Sequence, residues 1–426
     1  MVVFHNHHKL ISNSITQAQM KNIWNLLFLS ILVSCTASSR RWDTSPIARN
    51  EKLYVVNIDN APREDFINLS SFLQDVETII LETNDNCIIG EVNTIRVLDD
   101  YIVVMDSEIT ETVLVFDKEG RFLHRIGQIG QGPGEYIDIT DSSIDFEKKE
   151  IYLIDFPTNM VHKYDIISGK FINSIYIDRD DFKSYFMQYV NGKIYTSTIP
   201  YFGTDDSFLL QEFYASTGNP KSSYLNASAY NKGWNDFYSR SDGFFYPNED
   251  GSIKYIQMFM DTVISIRNDE IMPYLAIKSK NWITEKDIQD LIEYKIANEG
   301  TLSHEILFGR NISYNINHYF DLDNIVYFQY LNSGNMEFVI YNKENNTTRR
   351  ADFLKDDIVY NGDWFLLPSF AYADSKGVYS YLKTEQIPRF LEIANTGGLN
   401  ADLDKRDILE KLPEDSNPVI FYYSKK

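Results

Sequence analysis

"IVVMDSEITETVLVFDKEGRFLHRIG" spans residues 102–127, and "IYLIDFPTNMVHKYDIISGKFINSI" spans 151–175. Laid side by side, Ile102 answers Ile151, Asp106 answers Asp155, Gly120 answers Gly169, Phe122 answers Phe171 and Ile126 answers Ile175, all at an offset of 49. Asp117 answers Asp165 at an offset of 48. A repeat of about 40–50 residues made of several short strands is the signature of propeller blades. Within each copy, branched and aromatic residues alternate with others, as they do on half-buried strands. Asp117-Lys118-Glu119-Gly120 places Asp and Gly at the first and fourth positions of a tight turn, and Asp165 to Gly169 repeats it with one more residue.

Fainter copies follow at 193–218, 244–277, 325–346 and 364–382, which brings the count to six. The expected fold is therefore all-β, a six-bladed β-propeller occupying residues 51–426 as one domain. One segment breaks the rhythm. In "TEKDIQDLIEYKIANEG" (284–300), Thr284 is an N-cap with Asp287 three residues on, Ile288, Leu291, Ile292 and Ile296 share a face, and Gly300 is the stop. This predicts one inserted amphipathic helix over 284–297. A closed ring needs a blade completed from both ends of the chain, so a strand near Leu53–Ile58 or Thr78–Glu82 is expected beside Val419–Tyr423.

Between the two clear copies lies "GQIGQGPGEY" (127–136), with glycines at 127, 130, 132 and 134. A phosphate-cradling loop needs a strand before it, a helix after it, and GxGxxG or GxxxxGK[S/T] spacing. Neither spacing is present, no lysine follows, Glu135 would repel a phosphate, and the next residues are strand-like. The loop joins the last strand of one blade to the first of the next. In its wider context, "FDKEGRFLHRIGQIGQGPGEY" (116–136) resembles the G-x-GPGEY hallmark of six-bladed β-propeller lipoproteins of gut Gram-negative bacteria, relatives of the NHL and TolB-like propellers. The lead-in at 69–106 and the C-terminal "EDSNPVIFYY" (414–423) are similar to that family as well. The resemblance implies that Gln131, Gly132, Gly134, Glu135 and Tyr136 form a candidate loop at one mouth of the central channel. Its glycines are expected to serve a backbone that turns to positive φ or leaves no room for a Cβ.

The amino end reads as an address. In "MKNIWNLLFLSILVSC" (20–35), Lys21 precedes an apolar run from Ile23 to Val33, too short to span a bilayer and right for a secretory h-region. Leu32-Val33-Ser34-Cys35 resembles a lipobox, which makes Cys35 the lipidated first residue of the mature chain. Residues 1–34 are then the signal, with 1–19 an upstream mis-start that includes His5, His7 and His8. Residues 35–50 form the tether. Arg40 and Arg41 stand where a surface-export signal would be acidic, which directs the lipoprotein to the periplasmic face of the outer membrane.

A formal charge of −21 excludes a nucleic-acid partner, since phosphate backbones need clustered Lys and Arg. HExxH, GxSxG and CxxC motifs are all absent from the sequence. Of the remaining histidines, His124 and His162 fall inside repeat strands and read as structural, and neither they nor His304 and His318 have metal-ligand spacing. No cofactor is expected. A Ca2+ site assembled from carboxylates of different blades would leave no local motif. Two function classes follow. The first is a binding or scaffold module for a glycan, peptide or membrane-protein partner, held to the membrane through Cys35. The alternative is a propeller enzyme of lactonase, lyase or hydrolase type with an axial divalent metal; the missing motifs favour the first.

Overall fold

The computed structural model describes residues 43–44, 52–178, 185–198, 207–234, 243–248, 251–297, 307, 310–363 and 365–426. The signal (1–34), Cys35, His5, His7, His8, His304, the expected helix stop Gly300 and most of the 35–50 tether lie outside them. Six small sheets form the six blades of a propeller, each built mainly of strands that follow one another in the sequence, with strands from the N-terminal part of the chain added at the outer edges of some blades. The innermost strands are Thr94–Leu98 (blade I), Ile139–Asp145 (II), Phe186–Val190 (III), Phe245–Pro247 (IV), Ser313–Leu322 (V) and Ser369–Ala373 (VI).

Burial explains the strand composition. In blade II the inner strands Ile139–Asp145 and Glu150–Asp155 are buried along almost their whole length, because each is sandwiched between neighbouring blades. The outer strand Phe171–Tyr176 buries only Ile175, and there polar and apolar residues mix. The repeated turn glycine has a shared role. Gly120, Gly169 and Gly218 all take left-handed φ, at +85°, +68° and +71°. A Cβ on Gly120 would overlap the Ile80 carbonyl, one on Gly169 would stand 2.7 Å from the His124 ring, and one on Gly218 would overlap the Tyr176 carbonyl. Each turn thus rests on the outermost strand of the preceding blade, and only glycine fits.

The repeated aspartates also have one job. Asp106 accepts hydrogen bonds from the amides of Gly90 (2.8 Å) and Glu91 (3.1 Å), and Asp155 from those of Ile137 (3.1 Å) and Asp138 (3.3 Å). Each ties down the chain just before the first strand of its own blade. Burial works against ionisation of both carboxyls. The bonds they accept, from Ile109, Glu91 and Thr110 to Asp106 and from His162 and Ile137 to Asp155, outweigh it and hold both below the usual range.

The ring is closed by the two ends of the chain. Leu73–Ile80 pairs antiparallel with Val419–Lys425, in the register Val419 to Ile80 and Tyr423 to Val76, as the outermost strand of blade VI. Of the two expected partners for the C-terminal strand, the segment around Thr78 is the one used. Tyr54–Asn57 instead lies parallel to Glu270–Lys278 on the outer edge of blade IV, and Arg63–Asn68 lies parallel to Thr347–Lys355 on that of blade V.

The inserted helix runs over Glu285–Ala297 between blades IV and V, with Ile288 and Leu291 buried. Asp287 Oδ2 accepts the Thr284 amide at 2.9 Å, and Thr284 Oγ1 accepts the Asp287 amide at 3.3 Å, the reciprocal cap expected from the spacing. A second helix, Ile387–Asn395, was not anticipated. It interrupts blade VI between Gly377–Leu382 and Val419–Lys425, starts with Pro388 in its first turn, and buries Ile387, Phe390, Ile393 and Ala394.

One buried acid reports on closure. Asp356, 3% exposed, accepts the Tyr423 hydroxyl of the closing strand at 2.5 Å and the amides of Ile358 (3.1 Å) and Val359 (2.9 Å). Burial pushes its pKa up to about 6, with Tyr423 and the two amides pulling the other way. A folded pKa above the unfolded value means that folding takes up a proton. The group's stabilising contribution is therefore full below the unfolded carboxylate pKa and is lost as pH rises through about 6. Asp356→Asn should remove that dependence and gain on the order of 1–3 kcal/mol relative to wild type near neutral pH, with the gain vanishing toward pH ~4. Melting curves of the two proteins across this range check it, and parallel curves would refute the account.

Candidate functional site

The six inner strands surround an axial cavity of about 300 Å3, and every blade contributes to its wall. Aromatic rings dominate, among them Tyr185, Phe186, Tyr246, Tyr319 and Tyr372. Neighbouring inner strands are joined by side chains rather than by backbone ladders. Thr94 Oγ1 meets Ser142 Oγ at 3.0 Å between blades I and II. Thr140 Oγ1 donates to the Tyr185 carbonyl at 2.7 Å, and the Tyr189 amide donates to Ser143 Oγ at 2.9 Å, between II and III. Between blades IV and V, the Phe259 amide donates to Asn315 Oδ1 at 3.1 Å.

Arg96 and Asp141 extend this stitching to three blades. Arg96 is 7% and Asp141 5% exposed, and Nη2 lies 3.5 Å from Oδ1. The guanidinium also donates to the Ser142 carbonyl from Nε (3.3 Å) and Nη2 (3.2 Å), and to the Ile95 carbonyl from Nη1 (3.1 Å). Asp141 Oδ2 accepts the Met187 amide of blade III at 2.9 Å. Burial pushes the Asp141 pKa up to about 6, against the pull of Arg96. Such a pair, desolvated and fully bonded, positions strands; its net contribution to stability is small because the desolvation cost offsets the attraction.

Blade V supplies the most irregular wall. Its inner strand is shifted in register twice, between Tyr314 and Asn317 and between Asn317 and Phe320. Asn315 and His318 sit at φ +55° and +46°, and the bulges leave His318 on the cavity wall. Asp321, also on the wall, accepts the hydroxyls of Tyr274 (2.5 Å) and Tyr319 (3.3 Å) and pairs with Lys343. Among the described residues, no three His, Cys, Asp or Glu side chains gather into a group that could hold a metal ion. His124 Nε2 lies 2.9 Å from the Ile166 carbonyl, and His162 lies between Ser174 Oγ (2.8 Å) and Asp155 Oδ2 (3.4 Å), so both link strands.

The glycine-rich loop lies against the third and fourth strands of blade II, counted from the axis. The Tyr164 hydroxyl donates to the Gly134 carbonyl at 3.2 Å. Glu135 folds back on its own loop, where Oε1 accepts from Gln128 Nε2 (2.7 Å) and Oε2 from the Gly132 amide (2.8 Å). Those bonds, with Gln128 the first cause and Gly132 the second, hold its carboxyl below the usual range. Tyr136 is buried, its hydroxyl donating to the Glu111 carbonyl at 3.2 Å, and burial pushes its pKa up to about 12. Gln131 is exposed. Gln131, Gly132, Gly134, Glu135 and Tyr136 are not among the cavity-lining residues; the lining begins two residues later, at Asp138 and Ile139. The wall residues themselves went unseen in the sequence because each blade gives only a few. The one local signal was Thr140-Asp141-Ser142-Ser143, a polar run inside a strand.

A family described as a domain of unknown function (DUF4934) matches residues 53–424. No curated protein matches the chain. Among solved structures, a Bacteroides fragilis protein described as exported superposes with a TM-score of 0.66 at 17% identity, covering 87% of this chain and 99% of its own. A member of the duf4221 family from Bacteroides vulgatus gives a TM-score of 0.46 at 11% identity, covering 83% and 97%. At these identities the likeness concerns the fold.

Gly134 and Gly132 differ in a testable way. Gly134 has φ +79°, and a Cβ there would stand 2.8 Å from the Phe171 side chain. Gly132 is outside the left-handed region, and its Cβ would meet only the movable end of Glu135, at 3.0 Å. Gly134→Val should therefore cost about 1–3 kcal/mol by strain. Gly132→Val and Glu135→Gln should each cost less. Thermal or urea unfolding of the three variants checks the order, and a stable Gly134→Val protein would overturn it.

Proposed function

The chain belongs to the DUF4934 family, and from that membership and the axial cavity we propose that it is an exported, lipid-anchored binding module whose partner enters the propeller axis. The observation that carries the reading is the cavity itself. Aromatic rings and hydrogen-bonding edges converge there from all six blades, a composition suited to holding a ligand rather than to sealing a core. Ligands of open sheets and rings gather where strand ends from several units meet, and the fold leaves the choice of ligand to those residues.

Export and anchoring rest on residues 20–35, which carry the h-region and the lipobox-like Leu32-Val33-Ser34-Cys35. The similar Bacteroides fragilis protein is described as exported, which supports the same address. No helix of the described residues is long and apolar enough to cross a membrane. On this reading the lipid on Cys35 holds the propeller at the periplasmic face of the outer membrane, and the acidic, NHL- and TolB-like body faces water.

Two variants test the two halves. Cys35→Ser should lose acyl labelling and move from the membrane fraction to the soluble one; a variant that still sediments with its acyl chains sinks the anchor. Ala371→Trp places an indole in the cavity wall, with folding checked by melting temperature. It should abolish recovery of whatever partner co-purifies with the wild-type lipoprotein from its own membrane, and unchanged recovery would move the binding site elsewhere.

A further inference from the structure

The charge on the cavity wall is unevenly satisfied. Arg96 is the one Lys or Arg among the described lining residues, and it is committed to Asp141 and to the carbonyls of Ser142 and Ile95. Of the four carboxylates, Asp141 is answered by Arg96, and Asp321 by Lys343 and two tyrosines. Glu108 and Asp138 remain, both exposed toward the cavity. Neither makes an ion pair with a described Lys or Arg; Glu108 Oε1 only accepts from Asn93 Nδ2 at 3.2 Å. Asp138 already feels the shortage. Partial burial first, and the Asp155 carboxylate second, raise its pKa.

An anion entering this space would meet two unanswered carboxylates and no uncommitted cation. A cation would meet the carboxylates first and then the faces of Tyr185, Phe186 and Tyr246, where ring quadrupoles attract positive charge. The volume of about 300 Å3 is at the low end for ligand pockets and matches a single long side chain with its flanking backbone. We propose that the axial cavity receives a lysine- or arginine-bearing peptide segment of the partner. The proposal rests on the reading of the cavity as the binding site and narrows it to one charge class.

Titration calorimetry with three probes tests it: acetyl-Gly-Arg-Gly-amide, acetyl-Gly-Glu-Gly-amide and maltose. The arginine peptide should bind with one-to-one stoichiometry, more weakly as salt is raised, and the other two should not bind. Glu108→Gln and Asp138→Asn, on exposed side chains that support no described strand pairing, should each weaken it about three- to tenfold. Binding of the glutamyl peptide or maltose in place of the arginine peptide, lost in Tyr185→Ala, would overturn the charge class while leaving the cavity as the site. Arginine-peptide binding that is indifferent to both carboxylate variants would overturn the proposal too. Failure of all three probes, joined with unchanged partner recovery by Ala371→Trp, would remove the cavity reading as well.

Discussion

The pairing of Leu73–Ile80 with Val419–Lys425 is the contact on which the rest of this molecule depends. Five blades can be built from strands adjacent in sequence, with short loops and little closure entropy. The sixth needs residues more than 300 apart to meet, and until they do blade VI lacks its outer strand and Gly120 of blade I has no Ile80 carbonyl to rest on. The axial cavity is a product of that closure, since its wall is the ring of inner strands. The chain leading to the closing strand is not idle. Its parallel pairings along blades IV and V cover outer edges that would otherwise offer unpaired amides and carbonyls to another sheet.

Blade-to-blade fit is achieved by recurrent devices where the repeat is clear and by particular ones where it fades. Blades I to III use the left-handed turn glycine, and blades I and II use the buried aspartate that fixes the incoming chain. Within blades III and V, buried glutamates instead tie neighbouring strands of one blade together. Glu212 accepts from Lys221 (2.9 Å) and the Tyr224 hydroxyl (2.8 Å), and Glu337 from Arg350 (3.1 Å) and the Tyr330 hydroxyl (2.5 Å). The desolvation cost of each buried carboxylate is offset by charged and hydroxyl donors together, which is why neither stands alone.

The repeat at 102–175 made the propeller legible because Gly120 and Gly169 do the same steric work, and work of that kind leaves the same residue behind. The helix at Glu285–Ala297 was legible because its cap is local. What was not legible was set by distant pairing. Tyr54–Asn57 has a strand pattern, but nothing in four residues says that its partner is Glu270–Lys278 and that the pairing is parallel. Ile387–Asn395 has helical spacing, yet it lies inside a blade, between two strands that pair with each other. The cavity was hidden for the same reason: Arg96, Asp141 and His318 become neighbours of one space only when the ring closes.

The conspicuous loop and the inconspicuous cavity are nevertheless connected. Glu135 and Gly134 fix a compact turn against Tyr164 and Phe171, and the chain leaving it donates the Ile137 and Asp138 amides to Asp155. That double hold delivers Asp138 to the rim and starts the strand that carries Thr140 and Asp141 down the wall. Gly134 thus acts by positioning, four residues upstream of the lining residue Asp138. Buried acids along the wall are spent on holding strands, each with its own donor. Among the described residues the rim acids Glu108 and Asp138 have no ion-pair partner, and on the proposed reading they are the carboxylates that select the partner.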